Sequence, residues 1–316
     1  MPRNIGDRTV QLLLSLAKTP LLYYPYYRYR LPLPTVLMVE NTNHCNAECV
    51  MCPRELLSRR RGFMEIGLFE KIVREVSARK RQPVLHLHGF GEPLLDPLLP
   101  ERVRLAKAHG IRRTYIVSNG SLLTPETSRK ILDAGLDKMK ISFYGTDEAS
   151  YNATMRRLDF QTTVRNIRDF LRIRKEMKRR RPRLILQYIP AETNGDRTND
   201  FRALWEPWID RRAGDCLNVA SLHNYGGGRG YNPMGQKIVS VCYFPWTSMS
   251  VLWDGRVVTC CMDSNGVQVI GDCNTQTVQE VWTGPVLTGV RNDFRKLRYD
   301  AYPTCRSCDW VRRRGT

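Results

Sequence analysis

Short apolar segments rich in β-branched residues alternate with helical patterns through the middle of the chain. Six segments have the length of a single strand and are predicted to be strands, at 35–40, 84–88, 114–118, 138–143, 184–189 and 217–222. Apolar residues between them recur at helical spacing, as at Leu68, Ile72 and Val76. Thr124 followed by Pro125 is a favourable helix start. Strands alternating with helices predict an α/β fold with a parallel sheet and helices outside it.

The pattern changes after about residue 230. Residues 249–253 and 256–259 flank Asp254-Gly255, and this arrangement predicts a β-hairpin with a type I′ turn. Helical patterns follow at 277–282 and 286–297. We therefore predict three parts, an N-terminal extension (1–34), a core domain (35–230) and a small C-terminal module of hairpin and helices (231–316).

The N-terminal extension combines an apolar run at 12–22 with a Tyr- and Arg-rich segment at 23–30. Such a segment either lies at a membrane surface or packs on the domain. No stretch of the chain reaches the roughly 18 to 20 apolar residues of a spanning helix, and no cleavage-site pattern follows the apolar run. We therefore expect a cytoplasmic protein without a transmembrane segment.

The chain is strongly basic, because 50 Lys and Arg face 31 Asp and Glu, a net charge of +19. This excess would attract nucleic acid, anionic lipid headgroups or a phosphorylated substrate. Only 11 of the basic residues are Lys, so an arginine-rich coding bias explains the excess equally well. The charge alone therefore identifies no partner.

The chain has ten cysteines. In a protein expected to be cytoplasmic they favour metal binding or catalysis over disulfides, because the cytosol keeps thiols reduced. Cys45, Cys49 and Cys52 form a Cys-x3-Cys-x2-Cys group directly after the first predicted strand. Three thiolates can bind three irons of a cubane cluster and leave the fourth iron open to another ligand. A zinc site that recruits His44 is the alternative.

The triplet and the residues that end the later strands resemble the radical S-adenosylmethionine (SAM) superfamily. The segment Gly89-Phe90-Gly91-Glu92-Pro93 is similar to its Gly-Gly-Glu-Pro segment, with Phe90 as the departure. Parallel sheets place their sites at the carboxyl ends of strands, where these residues lie in order. The resemblance implies that SAM contacts Met51, through its backbone, and Gly91, Glu92, Pro93, Ser118, Asn119, Ser142 and Gln187. Tyr188 and residues 223–228 are expected to line the same opening, and a flexible connector is an equal alternative for the glycine run at 226–228.

The resemblance also implies a fold and a chemistry. The core would be a partial (β/α)6 TIM-like barrel. The amino and carboxylate groups of SAM would chelate the open iron of a 4Fe-4S cluster, and one electron would give methionine and a 5′-deoxyadenosyl radical. That electron would come from a flavodoxin- or ferredoxin-type donor.

A second group of cysteines lies in the C-terminal module. Cys242, Cys260, Cys305 and Cys308 resemble the opening of the SPASM motif, which carries auxiliary iron–sulfur clusters. Arg314 stands where the next cysteine of a full motif is expected. This favours the shortened twitch version, in which the four cysteines hold one auxiliary 4Fe-4S cluster. A structural zinc ribbon is the alternative.

Three cysteines lie outside both groups. Cys261 is an alternative ligand to Cys260, a buried spectator or a hydrogen-atom donor near the radical. Cys216 and Cys273 are expected to be structural, although either thiol could serve as the donor.

The two cysteine groups and the spare cysteines together favour an enzyme that acts on a small molecule. By resemblance to twitch-type dehydrogenases and epimerases of aminoglycoside pathways, the radical would abstract a hydrogen atom from a sugar, aminocyclitol or nucleotide-sugar carbon, with oxidation or epimerisation. A maturase of a ribosomal peptide or protein is the alternative, disfavoured because only 34 residues precede the first strand. A basic, zinc-bound nucleic-acid-binding protein is a further alternative, disfavoured because the sequence lacks an aromatic-rich RNA-binding motif.

Overall fold

The computed structural model describes residues 31–227, 238 and 241–312. The apolar run at 12–22, the segment at 23–30, Gly228 and Arg314 lie outside the described residues. Within the described ranges, no helix is both long enough and apolar enough to span a membrane.

A nine-stranded sheet, ordered β11-β10-β9-β1-β3-β4-β5-β7-β8, organises the described residues. Its strands are β1 (Val36–Val39), β3 (Val84–His86), β4 (Thr114–Ser118), β5 (Lys138–Ser142), β7 (Arg183–Tyr188), β8 (Cys216–Val219), β9 (Ser248–Val251), β10 (Arg256–Val258) and β11 (Val269–Asp272). Two short strands, β2 (Glu48–Cys49) and β6 (Met155–Arg156), form a separate pair. The six predicted core strands are neighbours and all parallel, which confirms the predicted α/β fold with a parallel sheet.

Ten α-helices connect or follow these strands in the described part of the chain. They are α1 (Ile66–Ser77), α2 (Leu99–Ala108), α3 (Pro125–Ala134), α4 (Glu148–Thr154), α5 (Phe160–Glu176), α6 (Thr198–Trp205), α7 (Phe244–Thr247), α8 (Val278–Thr283), α9 (Pro285–Arg295) and α10 (Pro303–Arg306). The predicted start of α3 is confirmed, since the Thr124 side chain accepts a hydrogen bond from the Thr127 backbone N–H.

Alternation along the strands gives the sheet an outer face under the helices and an opposite, inner face. On β5, Met139 and Ile141 are fully buried in the hydrophobic core, whereas Lys138, Lys140 and Ser142 project to the inner face. Strand neighbours in register share a face. The inner face of β5 therefore continues onto the facing residues of β4 and β7.

The same alternation corrects one expectation. Tyr188 follows Gln187 on β7, so its side chain lies on the outer face, where its ring stacks on Phe201 of α6 at a centroid distance of 5.3 Å. The Tyr188 hydroxyl donates to the Gly195 carbonyl at 2.6 Å. The prediction that Tyr188 lines the opening is therefore wrong, because successive residues of a strand point to opposite faces.

The C-terminal hairpin continues the core sheet. β9 pairs with β1 in parallel, with Val36 opposite Ser248 and Val39 opposite Val251, and β10 and β11 add antiparallel strands beyond it. The edge of β1 is thereby covered, which removes an unpaired row of backbone N–H and C=O groups. This pairing also fixes the position of the C-terminal residues relative to the core.

The turn of this hairpin differs from the predicted type I′. A type I′ turn needs positive φ at both central residues, but of Asp254 and Gly255 only Gly255 has one, at +93°. The Gly255 N–H donates to the Leu252 carbonyl at 2.9 Å. Gly255 therefore ends a four-residue turn over Leu252–Gly255 rather than forming the second of two central residues.

A buried ion pair joins α5 to the start of β8. Arg174 donates from Nη1 to Asp215 Oδ1 at 2.8 Å, and both side chains are at most 3% exposed. The Leu184 backbone N–H donates to the same carboxylate oxygen at 2.8 Å. Asp215 thus accepts hydrogen bonds from α5 and from β7. Removing the Arg174 guanidinium would leave the Asp215 carboxylate buried without a cation.

We predict that Arg174→Met lowers the free energy of unfolding by about 3–5 kcal/mol, because Asp215 remains buried without its cation. Arg172→Met is the matched control, since Arg172 lies on the same helix in exposed pairs with Asp169 and Glu176. Its expected cost is below about 1 kcal/mol. Urea midpoints of the two variants would measure the difference, and equal midpoints would contradict the prediction.

Candidate active site

The first cysteine group lies on a loop between β1 and α1 that is held from two sides. Residues Glu48 and Cys49 of the loop pair with Arg156 and Met155, and the Val50 N–H donates to the Thr154 carbonyl at 3.0 Å. The Cys52 N–H donates back to the Cys49 carbonyl at 3.0 Å. The loop is therefore fixed in place by backbone hydrogen bonds.

The three thiols of this loop are partly buried, and the Cys49 thiol interacts with the other two. Burial raises the pKa of Cys45 to about 11, and burial together with Cys52 and Cys45 raises the pKa of Cys49 further. Such thiols stay protonated until a metal displaces the proton. Three convergent sulfur ligands from a single loop fit three irons of an iron–sulfur cluster.

A single zinc ion fits the same loop less well. Among the described residues, no three His, Cys, Asp or Glu side chains are arranged to hold one metal ion. The His44 ring stacks on Phe63, with centroids 4.8 Å apart. Thiolates on one zinc ion must all lie about 2.3 Å from it, whereas cubane ligands bind separate irons and lie farther apart.

The Glu92 loop after β3 packs directly on the cysteine loop. A Cβ at Gly91 would lie 2.4 Å from the Thr42 carbonyl oxygen and 2.6 Å from that of His44, so only glycine fits. The Glu92 N–H donates to the His44 carbonyl at 2.8 Å. Gly91 therefore allows the two loops to meet.

Glu92 is 2% exposed, and its carboxylate links the loop after β3 to the end of β4. It accepts hydrogen bonds from Ser118 Oγ at 2.7 Å, the Asn119 N–H at 2.7 Å and the Leu94 N–H at 3.0 Å. Burial raises the pKa of Glu92 to about 7 despite these donors. Asn119 Nδ2 donates to Asn46 Oδ1 at 2.9 Å and so connects this network to the cysteine loop.

The remaining residues predicted to contact SAM have mixed surroundings. Pro93 is buried at the start of a short 3-10 helix, and Met51 is 4% exposed within the core. Ser142 accepts a hydrogen bond from the Tyr144 hydroxyl at 3.0 Å. Gln187 lies in register with Ser142 and accepts from Asn218 Nδ2 at 3.0 Å. The strand ends thus present a continuous polar rim next to the cysteine loop.

The second cysteine group converges on one pocket. Cys242, Cys260, Cys305 and Cys308 all line it, together with mostly apolar side chains that include Phe244, Met262 and Val311. Burial raises the pKa of Cys305 to about 12 and that of Cys308 to about 11. Four thiols around one apolar pocket fit a cluster whose irons are all ligated by protein.

Cys261 follows Cys260 of the second cysteine group and also has neighbours in the core. It shares a hydrogen bond with Cys260, and its charge would interact with Lys140 on the inner face of β5. Tyr225 interacts electrostatically with Cys261 and with Cys49 and Cys52. Tyr225 is therefore within electrostatic reach of residues from both cysteine groups.

The other two spare cysteines lie elsewhere. Cys273 is 1% exposed and has Lys71, Glu75 and Asp272 as its charged neighbours, away from both groups. Cys216 is in register with Ile185 on the inner face and interacts with Tyr115. Cys273 therefore fits the structural role predicted for it, whereas Cys216 faces the inner side of the sheet.

Sequence reasoning missed the basic residues of the inner face, namely His86, His88, Lys138 and Lys140. The signal was present in β5, where Lys138 and Lys140 alternate with Met139 and Ile141 inside a strand predicted to be buried. Buried lysines without a reason are rare, so this alternation indicates a site. Tyr144 was also missed, because nothing in its local sequence marks it.

Two family models match this chain. The model of the radical SAM superfamily matches residues 39–179, and that of the SPASM iron–sulfur cluster-binding domain matches residues 242–309. The chain therefore belongs to the radical SAM superfamily and carries a C-terminal SPASM domain. Its cofactors are SAM, a 4Fe-4S cluster and auxiliary iron–sulfur in the SPASM domain.

Relatives and solved structures share this architecture. The chain is 22% identical to a tungsten-containing aldehyde ferredoxin oxidoreductase cofactor-modifying protein of Pyrococcus furiosus, covering 86% of each chain. It is 21% identical to an S-adenosyl-L-methionine-dependent 2-deoxy-scyllo-inosamine dehydrogenase of Niallia circulans, covering 88% of this chain and 93% of the relative. The crystal structure of BtrN with AdoMet and 2-DOIA superposes with a TM-score of 0.62 at 19% identity, over 88% of this chain and 94% of BtrN. The predicted fold class is thereby confirmed.

We predict that anaerobic reconstitution gives about eight irons per chain, four for each cysteine group. Replacing Cys45, Cys49 and Cys52 together by Ala should leave about four, and so should replacing Cys242, Cys305 and Cys308. Cys273→Ala is the control and should retain about eight, because Cys273 lies away from both sites. Iron, sulfide and zinc analyses measure this, and a protein that binds zinc but no iron would contradict both ligand sets.

Proposed function

We propose that this radical SAM enzyme abstracts a hydrogen atom from a carbon of a sugar, aminocyclitol or nucleotide sugar, with oxidation or epimerisation as the outcome. The observation that carries the proposal is the similarity to the aminocyclitol dehydrogenase over about nine tenths of both chains. When bound, SAM and the cluster at Cys45, Cys49 and Cys52 supply a 5′-deoxyadenosyl radical, and the auxiliary cluster supplies an electron acceptor.

The polar rim next to the first cysteine group supports a polyhydroxylated substrate. It presents the hydroxyls of Ser142, Tyr144 and Tyr225 and the side-chain amides of Gln187 and Asn218. These groups donate and accept hydrogen bonds, as recognition of several substrate hydroxyls requires. The Pyrococcus furiosus relative is named a cofactor-modifying protein. A substrate of that kind would also need groups that donate and accept hydrogen bonds.

We further propose that Glu92 receives the amino group of SAM. Its carboxylate is held by three donors beside the cysteine loop, and a buried carboxylate favours a cationic partner strongly. The same partner would lower the pKa of Glu92 from its raised value, because an adjacent ammonium favours the charged form.

Glu92→Gln should weaken SAM binding by roughly tenfold or more, because it removes the negative charge while keeping the side-chain shape. Glu176→Gln in α5 is the control, since Glu176 is exposed and is the last residue of α5, where the chain returns to the amino end of β7. Equilibrium binding of SAM to cluster-loaded protein measures the effect. Unchanged affinity in Glu92→Gln would remove Glu92 from the proposed site.

The fate of the substrate radical depends on what the chain places beside it. In an oxidation, the hydroxyl of the reacting carbon would lose a proton, and a cluster held by Cys242, Cys260, Cys305 and Cys308 would supply the acceptor for one electron, so that the product would be a ketone. In an epimerisation, we propose that the Cys261 thiol gives its hydrogen atom to the opposite face of the carbon. The resulting thiyl then needs one electron and one proton, which a flavodoxin- or ferredoxin-type donor and solvent would supply.

Turnover in deuterated water distinguishes the two outcomes. An inverted product that carries solvent deuterium at the reacting carbon is expected for epimerisation, because the thiol exchanges its proton with solvent. A ketone without incorporation is expected for oxidation. Cys261→Ala should abolish deuterium incorporation and leave SAM cleavage intact, as followed by mass spectrometry, with Cys273→Ala as the control; normal epimerisation by Cys261→Ala would exclude this donor.

We also place the enzyme in the cytoplasm. Ten cysteines, seven of them in two proposed cluster sites, need a reducing compartment to remain thiols.

A further inference from the structure

The inner face carries four basic residues on two strands, here called the basic cluster: His86, His88, Lys138 and Lys140. The strand register places His86 and Lys138 in one row, on either side of Tyr115. The two histidine rings stack with centroids 5.3 Å apart, and Lys138 Nζ lies 5.2 Å from the centre of the Tyr115 ring. Lys140 lies two residues further along β5, towards the carboxyl ends of the strands where the cysteine loop lies.

Lys140 differs from the buried cations elsewhere in the molecule. Arg59, Arg102 and Arg174 are each paired with a carboxylate, with side chains at most 4% exposed. Lys140 is partly buried, more exposed than these three arginines, and none of the residues that the structure describes gives it an ion pair or a hydrogen bond. A partly buried cation without a partner is unfavourable, so its charge calls for an anion from outside the chain.

The neighbours of Lys140 do not supply that anion. Burial and the adjacent Lys138 lower the pKa of Lys140, and no carboxylate of the described residues pairs with it. Burial, reinforced by the two lysines, holds the pKa of His86 at about 3, and burial also holds that of His88 well below its usual range. Both histidines are therefore neutral near pH 7, and the positive charge of the basic cluster belongs to the lysines.

The position of Lys140 links it to the proposed reaction space. Cys261 is within electrostatic reach of both Lys140 and Tyr225, and Tyr225 is within the same reach of Cys49 and Cys52. Lys140 also lies two residues before Ser142, on the same face of β5 and near its carboxyl end, so it is close to the residues at which we place the substrate. Two lysines on one face, two residues apart, match a group that carries more than one negative charge, which a phosphate does and a carboxylate does not.

We propose that Lys140 binds a phosphate group of the substrate, so that the substrate is a phosphorylated sugar or a nucleotide sugar and not an aminocyclitol, which has no anionic group. This inference rests on the proposed function, because it takes the space between the two cysteine groups to be the substrate site. Lys138 stands behind Lys140 and adds to the positive potential.

The test measures binding to the reconstituted full chain with SAM bound. Inorganic phosphate, glucose 6-phosphate, UDP-glucose and glucose are titrated calorimetrically into wild type, Lys140→Met, Lys140→Arg and Lys130→Met. Lys130 is an exposed lysine that pairs with Glu126 on α3, so Lys130→Met reports on binding to surface charge. The two phosphorylated sugars distinguish a monoester from a diphosphate as the source of the phosphate.

We expect a phosphorylated compound to bind more tightly than glucose, and Lys140→Met to weaken it roughly tenfold or more. Lys140→Arg should stay within a few-fold of wild type, since it keeps the charge, and Lys130→Met should not change. Equal binding by wild type and Lys140→Met would overturn the proposal. So would phosphate binding that survives in Lys140→Arg and Lys140→Met alike while turnover is lost in both, because that pattern identifies Lys140 as a base.

Thermal unfolding gives a second readout that does not depend on turnover. Without ligand, Lys140→Met should melt at the same or a higher temperature than wild type, because an uncompensated, partly buried charge is removed. A lower melting temperature in Lys140→Met would reveal a partner within the protein and overturn the proposal. Iron content and SAM cleavage of the same wild-type preparation show separately whether the proposed function itself holds.

Discussion

The approach of the Glu92 loop to the cysteine loop is the constraint on which the arrangement of the site depends. Gly91 lies against the backbone of residues 42–44, where any side chain would clash at 2.4 Å. This contact sets the Glu92 carboxylate beside the cysteine loop and in reach of Ser118 and Asn119. One glycine thereby aligns groups from three strand ends, and a Cβ at this position would separate cluster ligands from cofactor contacts before any chemistry is affected.

A second alignment joins the C-terminal residues to the same region. Because β9 pairs with β1 along its length, the auxiliary cysteine pocket has a fixed position relative to the core. Glu40, at the end of β1, reinforces it by accepting hydrogen bonds from Arg59 at 2.6 Å, the Phe90 N–H at 3.1 Å and the Trp253 N–H at 3.2 Å. Electron transfer between two sites needs a constant separation, and a shared sheet provides it without a flexible hinge.

The sequence predicts the parts of this structure that are encoded locally. Several core strands, such as β1, are apolar runs, and the cysteine triplet and the Gly91-Glu92-Pro93 segment each lie within a short stretch of the chain. Their order along the chain therefore gives their order along the sheet. The face of the sheet to which each side chain points was harder to predict, because a strand buried on both faces does not alternate in hydrophobicity. Tyr188 was therefore assigned to the wrong face, although Phe201 on α6 covers it. The pairing of β9 with β1 joins residues more than 200 positions apart, and no local pattern announces it.

Buried charges are treated differently in the framework of the fold and at the proposed site. In the framework, Arg59, Arg102 and Arg174 each form an ion pair with a carboxylate of the protein itself. On the inner face, Lys140 has no such partner among the described residues, and the nearest cation repels it. Proteins retain energetically unfavourable groups, such as an unpaired charge, at positions where a bound ligand stabilises them and function requires them. The exception at Lys140 is therefore informative about the ligand, because the group that would stabilise the lysine has to be an anion carried by the molecule that enters between the two cysteine groups.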